Sequence, residues 1–309
     1  MRIFAALFGG QGSQYPGMGK SLFETNAQAR KVYECAGDVL GIDIAKISFE
    51  GTLEEITRTD ICQPALFAHS LAAWEASHGQ LPAPTAVAGH SLGEYGALYA
   101  AGVFSMEDGF RLVGARGKVM RSAARSAPGT MMAITGSDPD TIRQICQKHG
   151  GVWAVNFNLP GQTVIAGAEK NCLSAGEELA GMGARATRLN VDSAFHTPMM
   201  QTAADELRDL IKGVKYNNLN CDFYSNLTGG LLKIEDFEDY FVRQMVSPVR
   251  FVELITAMSD AGVDACIEFG AGKTASTLAK KNNRAITAMN IECADSLQKT
   301  VSAIQDARS

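Results

Sequence analysis

Short apolar runs alternate with longer stretches of helical periodicity along this chain, the rhythm of an α/β protein. Arg2 to Phe8 is apolar enough for a first buried strand and stops at Gly9 and Gly10. The pattern then predicts helices over Ser21 to Leu40 and Pro64 to Ser77, and a strand over Thr85 to Ala88. A small-residue helix follows at once, and a long helix runs from Glu107 to Arg125.

From Thr130 the rhythm changes. MMAIT reads as a strand, DPDTIRQICQKHG as a helix ending at glycine, VWAVN and QTVIAG as strands, AEKNCLSAGEELAGMG as a helix and ATRLNV as a last strand. That order, β-α-β-β-α-β, is ferredoxin-like. It predicts a small subdomain over 128–192, inserted into an α/β core with a parallel sheet formed by 1–127 and 193–309. Beyond it the pattern gives a helix from Pro198 to about Lys212, a strand at Asp222 to Ser225, and helices near 235–246 and 250–260. A strand at Ala265 to Phe269, a helix, a strand near Ile286 to Asn290 and a last helix complete the chain.

The segment PTAVAGHSLGEYGALYAAG places Ser91 between Gly89 and Gly93, where the predicted strand gives way to a helix. A nucleophile elbow needs this arrangement: small residues let the backbone turn sharply and hold the Oγ clear at a helix N-terminus. There, backbone N–H groups and the helix dipole can stabilise an oxyanion. The alternative is a strand–turn–helix with an ordinary serine in the bend. Two other glycine clusters fail as nucleotide motifs. GMGKS has Gln14 where a phosphate loop needs its first glycine, and GGQGSQY has Tyr15 at the third glycine of a dinucleotide fingerprint.

Composition narrows the class. The chain has 309 residues, is 46% hydrophobic and 20% charged, and carries a net charge of −5. It can bury a large core and has no electrostatic case for nucleic acid. Seven dispersed cysteines without a C-x-x-C pair read as reduced thiols, hence a cytoplasmic protein without a disulfide frame or zinc site. No stretch has the length of a transmembrane helix, and the N-terminal apolar run is too short for a secretory signal.

A serine hydroxyl needs a base, usually histidine. His69 lies in an apolar helical stretch and reads as core. His78 and His149 sit beside glycines at helix ends and read as caps. His90 adjoins Ser91 and reads as packing or orientation. His196, in DSAFHTPMM between the last subdomain strand and the next helix, can point into a cleft. An α/β-hydrolase fits less well, because one strand alone precedes Thr85 and a long stretch of chain follows His196. In the helix 107–125, Gly109, Leu112, Val113, Arg116 and Met120 share one face. Arg116 thus stands on an apolar face, where an unpaired guanidinium is costly. It reads either as a two-pronged receptor for a substrate carboxylate or as half of an internal salt bridge.

GQGSQ near the N-terminus, GHSLGEYGAL at the elbow, RGKVM, VNFNLPGQTVIAG and SAFHTPMM together resemble the malonyl-CoA:acyl-carrier-protein transacylases, including the stand-alone acyltransferases of polyketide synthases. The resemblance runs from about residue 3 to 290. It implies a larger hydrolase-like α/β core, a ferredoxin-like lid subdomain and an active site between them. It implies that Ser91 carries the acyl group, that His196 is the general base, and that the backbone N–H groups of Gln11 and Leu92 form the oxyanion hole. Arg116 would bind the malonyl carboxylate, Met120, Asn156 and Asn158 would contact substrate, and Phe195 is similar to the malonyl-selecting pattern. A backbone carbonyl around SPVRF, assigned to Arg250, would orient the histidine. Arg250 stands where many fatty-acid members have Gln, so the pathway stays open between fatty acid and polyketide. The implied partners are malonyl-CoA and an acyl carrier protein, with no metal or bound cofactor. Lys273, Lys280, Lys281 and Arg284 are candidates for the carrier's acidic surface, or a solvated charge run. A thioester hydrolase that clears carrier proteins and an inactive docking module are the other readings.

Overall fold

The computed structural model describes residues 4–191 and 193–306. Arg2 and the predicted boundary at 192 lie outside the described residues. Ten strands are present among them: β1 (Phe4–Phe8), β2 (Ala86–Gly89), β3 (Gly129–Thr135), β4 (Val152–Leu159), β5 (Gln162–Ala168), β6 (Arg185–Arg188), β7 (Asp222–Ser225), β8 (Gly230–Leu231), β9 (Ala265–Phe269) and β10 (Thr287–Ile291). They form two sheets. The larger has the order β10-β9-β1-β2-β7-β8. Its first five strands are parallel, and the short β8 joins the edge antiparallel to β7.

Both faces of that sheet are covered by helices, which is why its central strands are apolar throughout and do not alternate. Phe4, Ala6 and Phe8 of β1 point into one core, shared with Phe67, Leu71 and Phe110. Ala5 and Leu7 point into the other, with Phe251, Leu254 and Ala279. The helix Thr59–Ser77 is buried on nearly every side, as a helix without a polar face must be.

The second sheet, β4-β5-β3-β6, is antiparallel throughout, the ferredoxin-like order. The helices Pro139–His149 and Glu169–Gly181 cover it through a separate core that includes Ile134, Ile142, Ile165 and Leu179. Its outer strand is stitched to the larger unit. Val249 N–H donates to the Val155 carbonyl at 2.7 Å and Phe157 N–H to the Val249 carbonyl at 2.9 Å. β4 thereby extends toward the elbow and forms one wall of the cleft.

Three predictions of secondary structure need correction. The helix expected over 21–40 is two helices, Lys20–Thr25 and Ala27–Leu40, because Asn26 is extended and its side chain caps the second by accepting from Gln28 and Ala29 N–H. The helix expected from Pro64 begins at Thr59. Two short helices, Ile44–Glu50 and Leu53–Thr57, occupy a region read as connection; the second starts at a Thr52–Glu55 capping box. Among the described residues, no helix is long and apolar enough to cross a membrane.

Candidate active site

β2 delivers the chain to Ser91, and the helix Gly93–Ala100 leaves it. The glycines on either side are sterically required. A Cβ on Gly89 would collide with the Gly93 backbone, and one on Gly93 with the Phe8 carbonyl at the end of β1. Ser91 itself has φ 53°, and His196 has φ 62°. They are the two non-glycine residues with positive φ among the described residues. Such backbone costs about 1–3 kcal/mol and persists only where the surroundings hold it.

The two strained residues meet. Ser91 Oγ lies 2.7 Å from His196 Nε2. On the other side of the ring, Nδ1 faces the Ser247 carbonyl at 3.0 Å and the Gln244 carbonyl at 3.2 Å. Two acceptors there place the proton on Nδ1 and leave Nε2 to accept from the serine hydroxyl. Burial, then the charges of Arg116 and His90, push the His196 imidazole down from 6.5 to about 3, so the ring is neutral at ordinary pH.

The histidine-orienting carbonyl assigned to Arg250 is a correction. The Arg250 carbonyl accepts Leu254 N–H in the first turn of the helix Phe251–Asp260, and its guanidinium pairs with Glu253. The carbonyls that serve His196 come from Gln244 and Ser247, at the end of the preceding helix.

Arg116 is buried to 1% exposure. Its Nη1 donates to Gln63 Oε1 at 2.8 Å, and Nη2 lies 3.1 Å from Ser91 Oγ and 3.5 Å from Gln244 Oε1. The guanidinium also rests over the Tyr95 ring, 5.5 Å from its centre. Among the described residues no carboxylate lies within ion-pair distance of it, and Nε has no hydrogen-bond partner. The internal salt bridge weighed above does not form. Glu94, the acid whose charge reaches it, is hydrogen-bonded to Asn226, Tyr240 and Gln244 instead.

A cavity of about 460 Å³ opens onto Ser91. Gln11, Leu92, Arg116, Met120, Asn156, Phe195 and His196 line it together with Leu53, Thr57, Met131, Leu189 and Val191. Asn156 Oδ1 is buried without a partner. Asn158 does not reach this cavity. The register of β4 shifts at this residue, between Phe157 and Leu159, and its side chain turns to His90 Nε2, 2.8 Å away. His90, read as packing or orientation, holds Asn158 and packs against the Phe251 ring, and His69, bonded to the Glu292 carbonyl at 2.7 Å, is core as read.

Sequence reasoning missed the layer beneath the serine. Asn226 Oδ1 accepts Ser91 N–H at 2.7 Å, and Gln244 Nε2 donates to the Ser91 carbonyl at 2.8 Å. Glu94, fully buried, accepts from both. Burial pushes its carboxyl up to about 7, against the donors and Arg116, which lower it. The signal was available in one case only: Glu94 is an acid inside an otherwise apolar run.

A hydroxyl bonded to a neutral imidazole at a strained strand-to-helix turn, on a parallel sheet with an inserted ferredoxin-like unit, defines an α/β protein equipped for acyl transfer through serine. The sequence comparisons agree. The chain belongs to the acyl transferase domain family, whose model matches residues 6–303. It is 35% identical to the malonyl CoA-acyl carrier protein transacylase of Bacillus subtilis over 99% of this chain and 98% of that one. A crystal structure of malonyl CoA-acyl carrier protein transacylase from Clostridium perfringens superposes with a TM-score of 0.94 at 35% identity, covering 99% of this chain and 98% of its own. A solved complex of a type II polyketide-synthase acyl-carrier protein with its malonyl-transacylase gives 0.93 at 34% identity, over 97% and 99% of the chains.

Proposed function

We propose that this protein transfers a malonyl group from malonyl-CoA to the phosphopantetheine thiol of an acyl carrier protein, through a malonyl-serine intermediate, in fatty-acid or polyketide synthesis. Ser91 Oγ attacks the thioester carbonyl while His196 Nε2 takes its proton. The developing oxyanion is met by the backbone N–H groups of Gln11 and Leu92, and collapse expels the CoA thiolate, which takes the proton from His196. In the second half His196 removes the proton of the carrier thiol. The thiolate attacks the malonyl ester, and the departing Ser91 alkoxide is reprotonated. A thioester is already activated and the base is built in, so the route draws on no metal or bound cofactor.

Met120 and Phe195 form an apolar wall that suits an unbranched acyl chain, and Asn156 supplies an acceptor for the pantetheine amide. Free, dispersed cysteines support a cytoplasmic setting. Among the candidate docking cations, Lys280 is engaged within its own helix end, donating to the Arg284 and Ile286 carbonyls at 2.5 and 2.8 Å. Lys273, Lys281 and Arg284 stay exposed for the carrier.

One observation carries the acyl specificity: a buried guanidinium without a carboxylate partner, 3.1 Å from the nucleophile. A free malonyl carboxylate completes that site, whereas a hydrolase for neutral acyl groups has no use for it. Arg116→Ala is expected to lower kcat/KM for malonyl-CoA on the order of a hundredfold, because it leaves a carboxylate buried and unpaired. Acetyl-CoA, which has no carboxylate, loses far less. The transfer rates of both donors to a holo carrier protein check this, and equal losses would make Arg116 structural.

A further inference from the structure

Beneath the elbow lies a buried carboxylate for which the acyl-transfer steps have no use. Glu94 stands one turn after Ser91 in the helix Gly93–Ala100 and is 0% exposed. Its Oε1 accepts the Asn226 backbone N–H at 2.6 Å. Its Oε2 accepts the Tyr240 hydroxyl at 2.8 Å and Gln244 Nε2–H at 3.0 Å. The first and last of these partners are the residues that grip the nucleophile. Asn226 takes Ser91 N–H at 2.7 Å while tying back to the Gly89 carbonyl at 2.6 Å. Gln244 holds the Ser91 carbonyl at 2.8 Å. Gln244 also offers its backbone carbonyl to His196 Nδ1 and its Oε1 to Arg116.

We infer that Glu94 is a positioning residue for the nucleophile. By fixing Asn226 and Gln244 it clamps Ser91 from both peptide sides, at the backbone angle where Oγ meets His196 and Arg116 together. The inference rests on Ser91 being the nucleophile. The chemistry of the side chain is specific. Three donors converge on two oxygens, a match for a carboxylate. A glutamine in its place turns an N–H group toward another donor, and an apolar residue leaves all three donors buried and unbonded. Ser91 cannot hold a positive φ unaided, so loosening either grip lets Oγ drift from its partners.

The test is the reaction of the full-length enzyme with a fluorophosphonate serine probe, which needs neither malonyl recognition nor Arg116. Glu94→Gln is expected to slow the labelling rate constant by about tenfold to a hundredfold, the cost of a displaced reacting atom. The amplitude should stay near one label per chain. The kcat for malonyl transfer should fall by the same factor with KM unchanged. A role in stability alone lowers the amplitude and spares the rate constant, so a loss confined to amplitude overturns the inference, as does an unchanged rate constant. If Glu94→Gln does not fold, Glu94→Asp decides. It keeps the charge but is one methylene too short to hold both partners, and an unslowed Glu94→Asp is equally fatal. Labelling that survives Ser91→Ala sinks the nucleophile assignment instead, whatever Glu94 does.

Discussion

His196 is built to stay neutral. Burial is the largest cause, reinforced by Arg116 and His90, and it holds the folded ring near 3 against an ordinary 6.5. The sign for stability follows from that depression. Below 6.5 the unfolded chain takes up a proton that the folded chain refuses until about 3, so this residue's contribution is intact above 6.5 and is lost as pH falls toward 3. Glu94 works in the opposite sense, since its raised carboxyl favours the folded state as pH falls through 7. The His196 share is therefore isolated by comparison with a variant. The stability of the native chain relative to His196→Gln should fall by at most about 1.4 kcal/mol per pH unit between pH 6 and 4. Urea midpoints at several pH values read this, and a pH-independent difference contradicts it. Ser91, His196 and Arg116 were legible in the sequence because each breaks a local pattern: a serine between glycines, a histidine in a junction, a guanidinium on an apolar face. Asn226 and Gln244 break none. Their importance arises only where the fold brings β7 and the helix Phe237–Val246 under the elbow. The Arg250 assignment failed for a related reason, since which carbonyl faces a ring is settled by where a helix ends.

Elements long enough to show their period were read well, down to the strands Asp222–Ser225 and Ala265–Phe269. The start of the helix Thr59–Ser77 was missed because Pro64, read as its first residue, lies inside it, and the other misses are short or interrupted. Asn26 splits a helix through a side-chain cap that keeps the apolar period on both sides, and Leu53–Thr57 spans little more than one turn. The cost of that second miss is functional, because Leu53 and Thr57 line the cavity. The elbow is the element where local sequence and packing agree most closely. The close approach of Gly93 to the Phe8 carbonyl fixes how deep the helix Gly93–Ala100 sits against β1. Gly93→Ala should push this helix off the sheet and destabilise the protein by about 2 kcal/mol or more. The shift of its urea midpoint measures that, and a midpoint equal to the native one would show that the approach is not needed.

At the scale of the molecule, three apolar cores are packed together, and the main one takes in Met131, Val155, Val164 and Ala166 from the ferredoxin-like sheet. The ferredoxin-like sheet has its own apolar interior, and its β4 edge is sewn to the segment at Val249 and to His90 through Asn158. The same segment lies next to the carbonyls that orient His196, so the subdomain's seat and the base's orientation share one stretch of chain. This explains how an inserted unit can form one wall of a site whose chemistry sits on the other. It also gives the cleft one fixed edge at β4. The proposed reaction runs through a covalent intermediate on Ser91. The most direct measurement is the intact mass of the protein after brief incubation with malonyl-CoA and no carrier. One malonyl group should appear on the native chain, disappear on addition of a holo carrier protein, and be absent from Ser91→Ala. An adduct that persists in Ser91→Ala, or a native chain that turns over malonyl-CoA without ever carrying the group, would contradict it.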